Sequence, residues 1–183
     1  DTFELVKEFR LSDKKTPIVF MGYMNTFESL GAKLFMEKAV AVDLDGILIV
    51  DMPPEESSDF SKEATKANID IIRLIAPTTS SSRAEKICSQ CSGYVYYISV
   101  KGITGAANLD ADDVKDKVSE LRLHTDLPIA IGFGIKDAAS ASSVKDVADG
   151  IVVGSVFVDL IGEADNIIDK VSLKTKELSE VLN

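Results

Sequence analysis

Cysteine, histidine, basic residues and long apolar runs are all scarce in this chain, and each shortage removes a class of protein. Two cysteines in 183 residues cannot staple a secreted scaffold, so a reducing cytoplasm is the expected compartment. Cys88 and Cys91 have C-x-x-C spacing, but a redox pair belongs at a helix N-terminus, where the dipole favours the thiolate. Here the pair sits at a helix end leading into a strand, and two small, partly buried residues are expected. A zinc site would need further ligands, and His124 is the sole histidine; it reads as a surface residue in a loop entering a strand. Lysine and arginine total 20 against 30 aspartates and glutamates, a net charge of −10. That balance argues against broad binding to nucleic acid or anionic membranes, both of which need clustered cations. No apolar run approaches the ~20 residues that span a bilayer. No signal peptide is expected, because Asp1-Thr2-Phe3-Glu4 already reads as helix.

What remains is a globular pattern. Hydrophobic residues make up 45% of the chain, and the length suits one domain with a real core. Short apolar runs occupy Pro17–Gly22, Gly46–Asp51, Ile69–Pro77, Gly93–Val100, Pro128–Ile135 and Gly150–Ser155, with starts 22 to 35 residues apart. That is the period of one strand, one helix and two loops. The runs are continuous, as in Ile47-Leu48-Ile49-Val50, which predicts strands buried on both faces in a parallel sheet. Helices are predicted over Ser29–Ala39, Pro54–Asn68, Ser82–Cys91, from an N-cap at Asp110, from an N-cap at Asp137, over Val156–Ile161 and over Glu163–Leu182. Phe3, Val6 and Phe9 recur at helical spacing with no capping residue ahead of them, which predicts further residues upstream. One domain, 1–183, is expected, without linker or repeat.

Two architectures accommodate six βα units. By length alone an open doubly wound sheet is favoured over a (β/α)8 barrel, which takes ~250 residues. The loops reverse that choice. Gly102 and Gly105 follow one run, Gly132-Phe133-Gly134-Ile135 ends the next, and Gly154-Ser155 ends the last, directly before a short helix. Glycine lets a backbone N–H approach an anion closely, and a helix N-terminus adds free N–H groups. Barrels place phosphate at the loops after their last two strands, beside an extra short helix. A cradle made of amides also suits so acidic a chain. Gly132-Phe133-Gly134 is no dinucleotide fingerprint, since Asp137 stands where the third glycine belongs.

The segment from Tyr94 to Ala106, Tyr-Val-Tyr-Tyr-Ile-Ser-Val-Lys-Gly-Ile-Thr-Gly-Ala, resembles the loop-6 signature of the tryptophan synthase alpha subunit family. Asp51-Met52-Pro53-Pro54-Glu55-Glu56-Ser57 is similar to that family's strand-4 motif, and Leu74–Thr79, Gly132–Ile135 and Gly154-Ser155 follow in matching order. The resemblance implies a TIM barrel of the phosphate-binding type. It also implies retro-aldol cleavage of indole-3-glycerol phosphate to indole and glyceraldehyde 3-phosphate, in tryptophan biosynthesis. A beta subunit carrying pyridoxal phosphate would be the partner in a heterotetramer, with no cofactor or metal in this chain. By match to the family's motifs, Gly105, Phe133, Gly134, Gly154 and Ser155 would cradle phosphate. Tyr96 and Thr104 would support the catalytic acids, Tyr23 and Leu48 would lie around the indole, and Asn25, Asp51 and Pro53 would face the partner.

One departure matters. The family's catalytic Glu and Asp match no position here, because in the family's register this chain starts in helix 2 and its first strand is strand 3. Strands 1 and 2 would be missing, two apolar edges would be left open, and the 183 residues alone would be inactive. A fragment of a longer product is the favoured expectation. The alternatives are a non-catalytic form that binds a phosphate ligand and a beta partner, and another phosphate-binding barrel enzyme such as an isomerase. Asp51 reads as a communication residue rather than a substitute acid. Lys101 reads as a solvated lysine as readily as a phosphate contact, and Asp110, Asp112 and Asp113 as helix-start charge.

Overall fold

A computed structural model describes residues 1–53, 55, 58–99, 111–132, 134–163 and 165–182. In chain order the elements are α1 (Thr2–Arg10), β1 (Val19–Gly22), α2 (Met24–Glu28), α3 (Ala32–Ala41), β2 (Gly46–Ile49), α4 (Ser58–Ala67), β3 (Asp70–Ile75) and α5 (Ser81–Cys88). β4 (Val95–Ile98), α6 (Ala111–Leu121), β5 (Ile129–Gly132), α7 (Ala138–Ser142), β6 (Gly150–Val152), α8 (Ser155–Gly162) and α9 (Ile167–Leu182) complete the alternation. The chain forms two compact units, Asp1–Leu74 with Lys86–Tyr94, and Ile75–Glu85 with Val95–Asn183.

In the first unit β1 pairs in parallel with β2 (Val19 opposite Gly46), and β2 with β3 (Gly46 opposite Asp70). Every residue of β2 is buried, as its unbroken Gly-Ile-Leu-Ile run requires. Ile47, Ile49 and Ile71 pack with Phe27, Phe35, Met36, Phe60 and Ala64 into one core. Its aromatic rings meet edge to face, Phe27 against Phe35 at 5.0 Å and Phe3 against Phe35 at 5.5 Å. At the N-terminal ends of the strands, the Asp45 carboxylate accepts the Ile18 N–H at 2.7 Å and the Arg10 guanidinium at 2.6 Å. Arg10 also donates to the Asp43 and Thr16 carbonyls, which explains its burial.

In the second unit β4, β5 and β6 are parallel, with Val95 opposite Ile129 and Ala130 opposite Gly150. The brace recurs here: Asp149 accepts the Ile129 N–H at 2.7 Å and Arg122 at 3.0 Å. An Asp-Gly pair therefore opens both β2 and β6, its carboxylate accepting one N–H at the start of the neighbouring strand: Ile18, just before β1, and Ile129, the first residue of β5.

Among the described residues the expected strands and helices are present with shifted ends, α8 being one residue longer on each side than expected; the expected helix starts at Pro54 and Asp110 lie outside the described residues. Three expectations change. Asp1 itself caps α1, its side chain accepting the Glu4 N–H at 3.0 Å, so the N-terminal helix does have its capping residue. The helix expected over Ser29–Ala39 begins at Ala32, because Gly31 turns the chain with φ +73°, and the short α2 precedes it. β1 and β6 are only half-buried rather than buried on both faces, each having one strand neighbour among the described residues.

Candidate functional site

The exits of β5 and β6 carry the glycines. Gly132 lies opposite Val152 in a parallel pair, so Gly134 and Gly154 each stand two residues beyond a matched position, at the same end of adjacent strands. Gly134 has φ +81°, a conformation that L side chains rarely adopt, and it is exposed. Gly154 is different: its φ is negative, −122°, and a Cβ built on it would meet nothing within 4 Å among the described residues. Gly154 leads into α8, where no side-chain bond caps the helix among the described residues and the Ser155 and Val156 amides precede the first intrahelical bond, from the Phe157 N–H to the Gly154 carbonyl. Gly154 and Ser155 are both exposed. The result is an open patch of backbone N–H donors at a helix N-terminus, suited to an anion.

Beside it, Tyr96 is buried on β4. A methyl group at Gly132 would land within the Tyr96 ring, so this glycine makes room for the tyrosine. The next residue, Tyr97, points to the other face. Burial pushes its phenol pKa up, and the Asp113 and Glu120 carboxylates add to the shift. Ser99 donates both its N–H and its Oγ to the Gly132 carbonyl, at 3.0 and 2.8 Å, and so ties the end of β4 to the β5 exit. Thr104, Gly105 and Phe133, along with Lys101 and Asp110, lie outside the described residues.

The first unit brings together another group of the expected residues. Tyr23 and Asn25, just after β1, are exposed, as is Asp51 after β2, while Pro53 is half-buried. The Asp51 carboxylate accepts the Met24 N–H at 2.6 Å, capping α2 from a loop 27 residues away. Leu48 is 2% exposed and sits on the face of β2 opposite the phenylalanine-rich core. Glu55 pairs with Lys86 at 2.7 Å.

Arg73 was not anticipated. It interrupts the apolar run of β3, is buried, and donates to the Gln90 and Met52 carbonyls and the Ser61 Oγ. A charge inside a strand run was the available signal. The cysteines are packing residues, as expected: burial raises both thiols, Cys91 to about 11. His124 is half-buried rather than a surface residue, held by Ser81 Oγ at 2.9 Å. No helix among the described residues is long and apolar enough to cross a membrane.

Parallel strand–helix units whose glycine-rich exits gather at the C-terminal strand ends define an α/β protein of the TIM-barrel class. A family model, "Tryptophan synthase alpha chain", matches residues 1–183, and the chain belongs to that family. It is 47% identical over 161 residues to the tryptophan synthase alpha chain of Alkalilimnicola ehrlichii, covering 88% of this chain and 59% of that one. Against the alpha chain of Nitrosococcus oceani it is 42% identical over 187 residues, covering 100% and 69%. Among solved structures, the tryptophan synthase alpha subunit of Legionella pneumophila superposes with a TM-score of 0.88 at 31% identity, over 99% of this chain and 68% of that one. A chain of the tryptophan synthase a2b2 complex of Pyrococcus furiosus gives 0.86 at 34% identity, over 97% and 72%. The chain thus carries six strand–helix units of the family's barrel and spans about three fifths of the first of these relatives.

Proposed function

We propose that this chain is the phosphate-holding and partner-facing part of an indole-3-glycerol phosphate lyase of tryptophan biosynthesis, acting in the cytoplasm. The observation that carries this reading is the paired exit of β5 and β6, with Gly134 and the Gly154-Ser155 helix start at one end of adjacent strands. Backbone amides of Gly134, Gly154 and Ser155, joined by Gly105 and Phe133, hold the substrate's phosphate without a cation. Tyr96, seated over Gly132, and Thr104 orient the acids. The chemistry needs one group to protonate indole C3 and another to take the glycerol hydroxyl proton as the carbon–carbon bond breaks, giving indole and an aldehyde. The two acids that do this match no position in the chain, so the 183 residues by themselves are expected to release no indole. Asn25, Asp51 and Pro53 meet a beta subunit, which supplies pyridoxal phosphate for the later step; this chain uses no cofactor of its own.

Gly154→Val tests the cradle cleanly. A Cβ at this position meets no atom of the described residues and φ is negative, so the substitution is expected to leave the fold in place, checked by circular dichroism, while the added side chain blocks anion approach to the amides. Affinity for glycerol phosphate, measured by calorimetry, is expected to fall at least about tenfold. Unchanged affinity would remove Gly154 from the site. Indole release by the purified 183-residue chain would show that its own residues supply the acid and base.

A further inference from the structure

Arg73 is a cation in the middle of an apolar strand, 4% exposed. A buried guanidinium is costly unless its N–H groups find acceptors, and an apolar residue of similar volume would fill the space without that cost. What Arg73 adds is direction. Its Nε donates to the Gln90 carbonyl at 3.0 Å, its Nη1 to the Met52 carbonyl at 3.4 Å and its Nη2 to Ser61 Oγ at 3.3 Å. It thereby joins the turn after α5 to the turn after β2. Met52 adjoins Asp51, whose carboxylate holds the Met24 N–H at the start of α2. A single line of contacts therefore runs from Gln90 through Arg73, Met52 and Asp51 to Met24 and the exposed Asn25.

We infer that Arg73 is a positioning residue: it sets the Asp51–Pro53 turn and, through Asp51, the start of α2, so that Asn25, Asp51 and Pro53 present one fixed face to the beta partner. The inference rests on the partner-face reading given above. Its mechanism is preorganisation, which strengthens binding by reducing the ordering that binding must impose.

The test uses the full-length chain with Arg73→Met, which keeps the length and loses the donors, and Arg73→Lys, which keeps the charge and part of the donor set. Three quantities are measured: hydrogen exchange of the Met24 amide, affinity for the purified beta subunit, and affinity for glycerol phosphate. In Arg73→Met, Met24 exchange is expected to accelerate and beta-subunit affinity to fall, each by about tenfold, with glycerol phosphate affinity unchanged. Arg73→Lys recovers part of both losses. A merely structural residue would lower both affinities together. Met24 exchange unchanged in a folded variant overturns the proposal, as does loss of the fold in both variants. Pro53→Gly separates the two readings. If it weakens the beta complex while Arg73→Met does not, the tether fails alone. If beta-subunit affinity survives both substitutions while Met24 exchange accelerates, the tether stands and the partner face is misplaced.

Discussion

Two single residues show how local chemistry constrains this fold. Gly132 has no room for a side chain, because Tyr96 fills the space a Cβ would take. Tyr96 is buried, so it has little freedom to retreat, and Gly132→Ala is expected to cost about 1–3 kcal/mol through overpacking. Urea unfolding measures this, and Tyr96→Phe in the same background should return little, since the ring and not the hydroxyl alone is in the way. Cys91 makes a different prediction. Burial pushes its thiol up to about 11 from the ordinary 9.0. Between those values the unfolded chain has lost the proton and the folded chain keeps it. The unfolded state then binds fewer protons, and stability falls as pH rises from about 9 to about 11. Cys91→Ala removes this contribution, so the urea midpoint of the variant should decline less steeply over that window. Parallel declines in the two proteins would mean that the Cys91 thiol does not govern the alkaline loss.

Among the elements, α7 depends most on its cap. It has five residues, too few to persist alone, and Asp137 and Ser140 close a capping box around its start. The Asp137 carboxylate accepts the Ser140 hydroxyl at 2.7 Å and the Ser140 N–H at 2.9 Å, and these bonds hold its pKa below the usual carboxylate range. Asp137→Ala is expected to destabilise the protein, lowering the midpoint of thermal or urea unfolding. This cap was legible in the sequence because aspartate is a preferred N-cap residue and Asp137 stands just ahead of apolar residues at helical spacing, whereas the return bond from Ser140 was not. The six strands were legible for the same kind of reason, each being a continuous apolar run. By contrast, α2 was not, since five residues show no period and its cap, Asp51, comes from a distant loop. Arg73 escaped too: its acceptors at Met52 and Gln90 are backbone carbonyls, which leave no mark on residue identity. The glycines at the β5 and β6 exits lie at one end of neighbouring strands, because a parallel register turns equal spacing from the strand into proximity. Gly132 was read as part of that glycine-rich turn, whereas its own reason is the space it leaves for Tyr96.

At the scale of the whole molecule, the decisive property is charge. The chain carries a net charge of −10, yet it is proposed to bind a phosphate dianion. Bulk electrostatics therefore opposes binding, and the local amides must overcome it. The two interactions respond differently to salt. Repulsion between the acidic molecule and an approaching dianion is long-ranged and is screened once the Debye length shrinks to ~10 Å, near 0.1 M. Hydrogen bonds from the amides at the start of α8 act within a few ångströms, well inside the Debye length, and are screened little. A cradle of amides on an acidic protein is thus expected to bind glycerol phosphate more tightly as potassium glutamate rises from about 20 to about 200 mM, by up to about threefold. A cradle built on lysine or arginine would weaken over the same range. Calorimetric titration of the full-length chain at four or five salt concentrations gives the slope directly. A negative response to salt would place a cation against the phosphate and remove the amides from first importance.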